Sequence, residues 1–527
     1  MTHPQLPERP NLEQLKRQAK DLLRAAKALN GDALARFRTL PAFSQNVDDD
    51  SLATSIALHD AQSVIAREMG FLSWNALAER VEELTLEFGA AVEQFVLSAT
   101  EVKPERAERL LQLHPRIAEA SFYTALLLGN AAVVERHLKQ RPRLTTDRGG
   151  PREWEPLLYL CHTSVEFGPA PRREGILAIA RQLLAAGADP NALYPWLHHG
   201  VRRAALWGAV CVTRLLPLAE LLLDAGANPN DGVTFPLSAS GGDIASLELL
   251  HAHGADVNQP WASDGASTLY AILNWADTPE GIRWLLAHGA NPDPVFAPNG
   301  ETPLHVVARR CGADLAEELV RRGADIERRR ADGRTPYAVA ALSGNDDVAE
   351  WLARHGASTA VSEVDRLVAA ASHGDRQRVE QMLAARSTLR GQLGPEHYAA
   401  FYRAAERGDV KSLDAMLACG FDPNRGDEEI GKTALHAASH EGWPDAVRVL
   451  LAHGASTSVR DREFHGQPLV WAADGFRTHG ANGRDFHDVA RQLLDAGSPV
   501  DWQTGEEPAE AIVDIIQEWQ RQADSRT

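Results

Sequence analysis

The chain has 527 residues, of which 44% are apolar and 24% charged, and it carries a formal net charge of −18. These proportions exclude a disordered polyanion and describe a foldable chain. The acidic balance argues against nucleic acid or anionic membrane as a general partner, because both need basic surface.

The first ninety residues read as helical. Asn11 is placed to cap a helix with Gln14 three residues on, and Leu12, Leu15, Ala19, Leu22, Leu23, Ala26 and Leu29 form one apolar stripe that Gly31 stops. A second helix is expected from Ser51 to Met69, ended by Gly70. Ser73 caps a third, with Trp74, Leu77, Val81 and Leu84 on its buried face. The last two have the outline of a helix-turn-helix. Yet the would-be recognition helix carries Glu79, Glu82, Glu83 and Glu87 against Arg80 alone, which would repel phosphates. A three-helix cap over residues 1–90 is the better reading.

Beyond it, a Leu-rich helix end followed by Gly, a small residue and usually Asp or Asn recurs at Gly187, Gly226, Gly254, Gly289, Gly323, Gly356, Gly420, Gly454 and Gly497. One long gap hides a degenerate copy near Arg386, so 310 residues divide into nine steps of about 34. A second marker, Gly129-Asn130, Gly242-Asp243, Gly344-Asn345, Gly374-Asp375 and Gly408-Asp409, precedes an apolar helix each time. Glycine there closes one helix in a left-handed conformation and the polar residue caps the next. Together the markers give about twelve helix-pair repeats between residues 91 and 503, a solenoid that grows by layers around a shared core.

The segment "GETPLHVVARRCGADLAEELVRRGADIERRRADGRTPYAVAALSGNDDVAEWLARHGAS" resembles two consecutive ankyrin repeats, and "GKTALHAASHEGWPDAVRVLLAHGAS" resembles a third. The chain is also similar to multi-repeat bacterial ankyrin proteins with a helical segment of the "NLEQLKRQAKDLL" type at the N-terminus. The resemblance implies an all-α ankyrin solenoid, with the cap in 1–90, repeats in 91–503 and a C-terminal capping helix and tail in 504–527. It implies that Thr-Pro opens each first helix, that His305 and His436 bond within the turn, and that partners meet the hairpin loop before Thr-Pro and the end of the first helix. Carried onto this sequence, those positions are Glu301, Arg309 and Arg310, then Arg334, then Lys432, His440 and Glu441. In the divergent repeats they are Trp154 and His162, Asn274 and Trp275, and Asp474. Aromatic and Arg side chains are frequent interface anchors, although each Trp equally suits packing between layers. Arg309, Arg310, Arg328, Arg329, Arg330 and Arg334 form a local basic run. It either clamps an acidic group or pairs with Glu327, Asp332 and their neighbours.

Two insertions interrupt the pattern, "TSVEFGPAPRREG" and "GFRTHGANGRDFH", and the loop "LYPWLHHGVRR" is long. Such insertions fall on loops, either at a binding face or as neutral variation. The adjacent pair His198-His199 and the pair His251 and His253 are weak as metal sites, since neither has a third ligand at a fitting spacing. Phosphate-cradling, nucleophile-elbow and zinc-protease motifs are lacking. The expected function is therefore protein binding by a cytoplasmic monomer, with no cofactor, metal or catalytic residue and no contact with nucleic acid or membrane. Cytoplasmic placement accords with four dispersed cysteines, no apolar stretch at the N-terminus suited to a secretory signal, and no 18-residue apolar run. The alternative is an enzyme or small-molecule site in the divergent repeats around residues 154–275, where His162, Trp196, His198, Trp207 and Trp275 would converge.

Overall fold

The computed structural model describes residues 6–500, apart from 8–9, 41–42, 44–47, 72–73, 101–103, 165–169, 196–201, 263, 276–277, 429 and 481–482. Ser73, Trp196, His198, His199 and the expected C-terminal helix over 504–527 lie outside the described residues. By internal contacts the chain forms two compact units, each counted over its described residues. The first joins Met1–Lys16, Ala66–Val306 and Leu319–Ala324; the second joins Arg17–Ile65, Val307–Glu318 and Asp325–Thr527.

Both units are stacks of short antiparallel helix pairs. In the first unit the pairs include Phe122–Leu127 with Ala131–Gln140, Pro156–Cys161 with Ala170–Ala185, and Thr268–Trp275 with Pro279–Ala287. In the second they include Glu363–Ser372 with Arg376–Ala385, Pro395–Glu406 with Val410–Cys419, Ala434–His440 with Pro444–Ala452, and Pro468–His479 with Phe486–Asp495. Within each unit, first helices pack on first helices and second helices on second helices of the adjoining layer. No layer encloses its own core. In the second unit Leu435, Leu450, Leu469 and Leu493 are each fully buried between layers, where truncation to Ala costs about 2–5 kcal/mol.

The repeat markers have local causes. All nine marker glycines sit at φ between 83° and 110°, a left-handed conformation that other residues resist. The Asn that follows them ties layers together. Asn191 donates to the Gly226 carbonyl at 3.0 Å and accepts from Asn228 N at 2.8 Å. Asn424 does the same with Gly454 and Ser456 at 2.9 and 2.6 Å. Asn130, Asp243, Asp375 and Asp409 cap the helices they precede. Asn345 does not: its amide donates to the carbonyls of Ala308 and Cys311 at 3.2 and 2.9 Å, so it joins two layers where a cap was expected.

Toward the N-terminus, the described residues form five helices where three were expected: Leu12–Lys27, Gly31–Phe37, Asp49–Ser55, Leu58–Glu68 and Trp74–Thr85. Asn11 caps the first as expected, accepting from Gln14 N at 3.1 Å. Gly31 opens a helix and does not end one, because Asn30 accepts from Ala33 N at 2.9 Å. The expected helix over Ser51–Met69 breaks where Asp60 accepts from Ala57 N at 2.7 Å and starts a new one. The acidic helix Trp74–Thr85 turns one carboxylate inward. Fully buried Glu83 accepts from Arg109 at 2.6 Å and Arg80 at 2.9 Å, while Arg106 reaches Glu79 and Glu82 at 3.5 and 3.3 Å. Burial opposes the Glu83 carboxylate, yet the two guanidiniums outweigh it and hold its pKa below the ordinary value.

The two described ends of one expected loop pair as short strands. Leu193–Pro195 pairs antiparallel with Arg202–Ala204, setting Tyr194 opposite Arg203. Among the described residues no helix is long and apolar enough to cross a membrane.

Candidate functional site

In the first unit a hairpin loop and a helix end jointly present two tryptophans. The loop is closed by Trp261 N donating to the Ala266 carbonyl at 2.7 Å and by Thr268 Oγ1 donating to the Gln259 carbonyl at 2.9 Å. Trp261 is held at its rim. The helix Thr268–Trp275 ends on Trp275, which is 53% exposed and meets Trp261 edge to face at 5.3 Å. Asn274 beside it is half-buried. Glu301 is withdrawn: only 4% exposed, it accepts from the Tyr270 hydroxyl at 2.8 Å.

Also in the first unit, the divergent repeats bring His162, Trp154, Tyr194 and Trp207 into one aromatic box. Trp154 lies 4.3 Å from Tyr194, and His162 lies 5.5 Å from both Trp154 and Trp207. The Arg203 guanidinium caps Trp207 at 4.4 Å. His162 is fully buried, donates through Nδ1 to the Leu158 carbonyl at 2.8 Å, and has no hydrogen-bond partner at Nε2 among the described residues. Burial, helped by Arg203, pushes its pKa down to about 4, so the imidazole is neutral at physiological pH. The box therefore gathers three residues singled out in the sequence, Trp154, His162 and Trp207, while Trp275 pairs with Trp261.

In the second unit, Arg334 is a core residue and not a surface anchor. It is 8% exposed and donates to Asp365 at 2.6 Å and Asp332 at 2.8 Å, with His397 Nε2 at 2.8 Å. The surrounding basic run is largely paired internally. Arg328 lies 3.8 Å from Asp325, Arg329 donates to the Gly333 carbonyl at 2.8 Å, and Arg330 binds Asp332. Arg309 and Arg310 are half-buried at the end of the helix Pro303–Arg310. Lys432 reaches Glu406 at 3.0 Å.

The same unit brings His440, Glu441 and Asp474 together, and adds a residue that the sequence did not single out. His440 Nδ1 lies 3.3 Å from Glu441 Oε1 and its Nε2 lies 3.3 Å from Asp474 Oδ2. His479 Nε2 lies 3.6 Å from Glu441 Oε1. Arg484 pairs with the other Glu441 oxygen. Against the penalty of burial, His440 and Arg484 hold the Glu441 carboxyl at about 2. Trp471 forms one wall at 5.6 Å from the His440 ring, and Phe464, 54% exposed, packs edge to face on Trp471 at 6.3 Å.

A family model of ankyrin repeats matches the chain three times, at residues 268–363, 367–461 and 397–503. Residues 268–363 and 367–503 of the chain carry ankyrin repeats. It is 25% identical over 312 residues to the E3 ubiquitin-protein ligase KEG of Arabidopsis thaliana, covering 59% of this chain and 17% of the ligase. It is 36% identical over 75 residues to ankyrin repeat and SOCS box protein 6 of Homo sapiens, covering 14% and 18%. It is 32% identical over 82 residues to protein phosphatase 1 regulatory subunit 27 of Mus musculus, covering 16% and 53%. The chain thus spans about half or less of the length of these relatives.

The ankyrin turn histidines behave as the resemblance implies. Thr302 and Thr433 donate from both N and Oγ1 to Nδ1 of His305 and His436, at 3.2 and 2.8 Å in each case. His436 donates its one ring N–H, at Nε2, to the Gly466 carbonyl at 3.2 Å in the next ankyrin layer. His253, His288, His355 and His453 donate from Nδ1 to the carbonyl four residues back, at 2.7–2.9 Å. These six histidines serve the repeat. Trp261, Phe464 and His479 escaped the sequence reading, although the first two lie in the ankyrin hairpin loops and the third in an insertion already recognised as atypical.

Proposed function

We propose that this ankyrin chain binds a partner protein through the face formed by its hairpin loops and first-helix ends. Ankyrin repeats are protein-interaction modules. The observation that carries the reading is the Trp261–Trp275 pair, since the two rings occupy the two ankyrin contact positions of one repeat and Trp275 leaves half its surface in water. A large, half-solvated aromatic pair with little conformational freedom is what an interface hot spot requires. Asn274 stands beside Trp275, and in other repeats Lys432 and the half-buried Arg309 and Arg310 hold the same kind of position. His162, Glu301 and Arg334 are assigned to packing.

A small-molecule site in the divergent repeats is the second reading. The unpartnered Nε2 of His162 favours it, and the rings of Trp154, Tyr194 and Trp207 packed around that imidazole weigh against it. We place the chain in the cytoplasm, where its four dispersed cysteines would stay as thiols, and take it as a monomer because stacked layers complete one another's core within one chain. The test is quantitative proximity labelling with the intact chain against the variant W261A/W275A. Loss of the same set of neighbours by about tenfold or more supports the face, in keeping with hot-spot truncations of about 2 kcal/mol. Equal labelling by both chains refutes it.

A further inference from the structure

We propose that His440, Glu441 and His479 form a binding site for a divalent transition-metal ion, with zinc the best match. Three side chains converge there from two adjacent layers of the second unit. His440 ends the helix Ala434–His440, Glu441 is its C-cap, and His479 ends Pro468–His479. The first helix has Thr433 at its cap and the second has Gln467, so Asp474 is the layer equivalent of His440 and the second helix continues five residues further. Those five residues, Gly475–His479, come from the atypical insertion, which extends a helix where a loop was expected. Gly475 makes the extension possible. A Cβ at that position would stand 1.9 Å from the His440 carbonyl oxygen, so only glycine lets the helix run past the end of its neighbour.

One donor atom from each of the three residues lies within 4.8 Å of the other two. Zinc binds His nitrogen and carboxylate oxygen at about 2.0–2.2 Å, which makes the edge of a ligand tetrahedron about 3.3–3.6 Å long. His440 Nδ1 to Glu441 Oε1 is 3.3 Å and His479 Nε2 to Glu441 Oε1 is 3.6 Å. These separations are long for charge-assisted hydrogen bonds, which run at about 2.7–2.9 Å, and suit ligands facing a common ion.

The surroundings point the same way. His479 Nε2 is shielded from solvent and has no hydrogen-bond partner among the described residues, as a lone pair kept for a metal would. His440 has its other nitrogen 3.3 Å from Asp474 Oδ2, the carboxylate–histidine arrangement that fixes tautomer and ring orientation at metal centres. Arg484 holds Glu441 Oε2, which leaves Oε1 directed between the two imidazoles. Two imidazoles and one carboxylate leave a fourth position for water or a partner's ligand.

The full chain, stripped with a chelator, is titrated with zinc chloride by calorimetry and with Co²⁺ as an absorbance probe of geometry. We expect one equivalent of zinc to be lost or weakened at least tenfold in H440A and in H479A, and D474N to weaken it about 10–100-fold. H288A serves as a control, because His288 lies 5.3 Å from His251 in a separate ring contact, and leaves this equivalent unchanged. If H479A does not fold, G475A retains every ligand side chain but forces the His440 and His479 helix ends apart, and it too should lose the ion. Absence of zinc binding by the intact chain, or unaltered affinity in H440A, H479A and G475A, overturns the proposal.

Discussion

Replacing Arg334 with Met removes the cation from a buried polar cluster of the second unit while keeping most of the stem volume. Arg334 is 8% exposed, Asp365 7% and His397 2%. Asp365 Oδ1 receives Nη2 of Arg334 at 2.6 Å and its Nε at 3.2 Å. Burial alone would raise the Asp365 pKa, but hydrogen bonds from His397 and Arg334 and the Arg334 charge bring it from 3.8 to about 2. At about 1.4 kcal/mol per pKa unit, that depression corresponds to about 2.5 kcal/mol of stability. Breaking a buried pair, which strands a carboxylate in the interior, costs about 3–5 kcal/mol in other proteins. We expect a loss of about 3 kcal/mol for R334M.

The sign with pH follows from a depressed carboxyl. The stabilisation is fully present above the unfolded value of 3.8 and is lost as pH falls toward about 2. The gap between the intact chain and R334M is therefore widest at neutral pH and narrows below pH 4. Urea denaturation followed by circular dichroism measures it. Hydrogen exchange of peptides over 334–402 localises it, because repeat arrays need not unfold as one unit. A difference under about 1 kcal/mol at pH 7, or one that does not shrink on acidification, would refute the reasoning.

Two further outcomes can be checked on the same material. E83Q strands Arg109 and Arg80 beside a buried amide, and about 2 kcal/mol should be lost; because the Glu83 pKa is depressed, the deficit relative to the intact chain fades as pH falls below the ordinary carboxyl range, read from thermal melts across pH. Cys161 and Cys419 are fully buried, and burial pushes the Cys419 thiol up to about 12 and that of Cys161 upward as well, so both should resist a thiol reagent in the native chain and react in urea, as mass spectrometry of the labelled peptides will show.

Local signals in this chain were legible because they act over a turn or two. A left-handed position requires Gly187 or Gly454, and a helix start rewards Asp243 or Asp409. Side chains whose partners come from another layer were not. Glu83 read as one of four carboxylates that would repel phosphates, and it is enclosed by Arg80 and Arg109, the latter 26 residues away. Arg334 and Glu301 occupied the sequence position of contact residues and proved to be core. Nothing in the spacing of Asn345 reveals that its amide would find Ala308 and Cys311 in place of its own helix.

By itself the sequence determined the repeat, its phase and the all-helical class, because a period of about 34 residues with glycine stops and polar caps leaves the backbone few other conformations. Which polar groups face water and which meet each other was decided by the tertiary structure alone. His440 and His479 are 39 residues apart in the chain, and they meet only because layers stack in register and Gly475 lets one helix overrun the next. Burial and charge pairing across layers depend on that stacking distance, which no local pattern encodes.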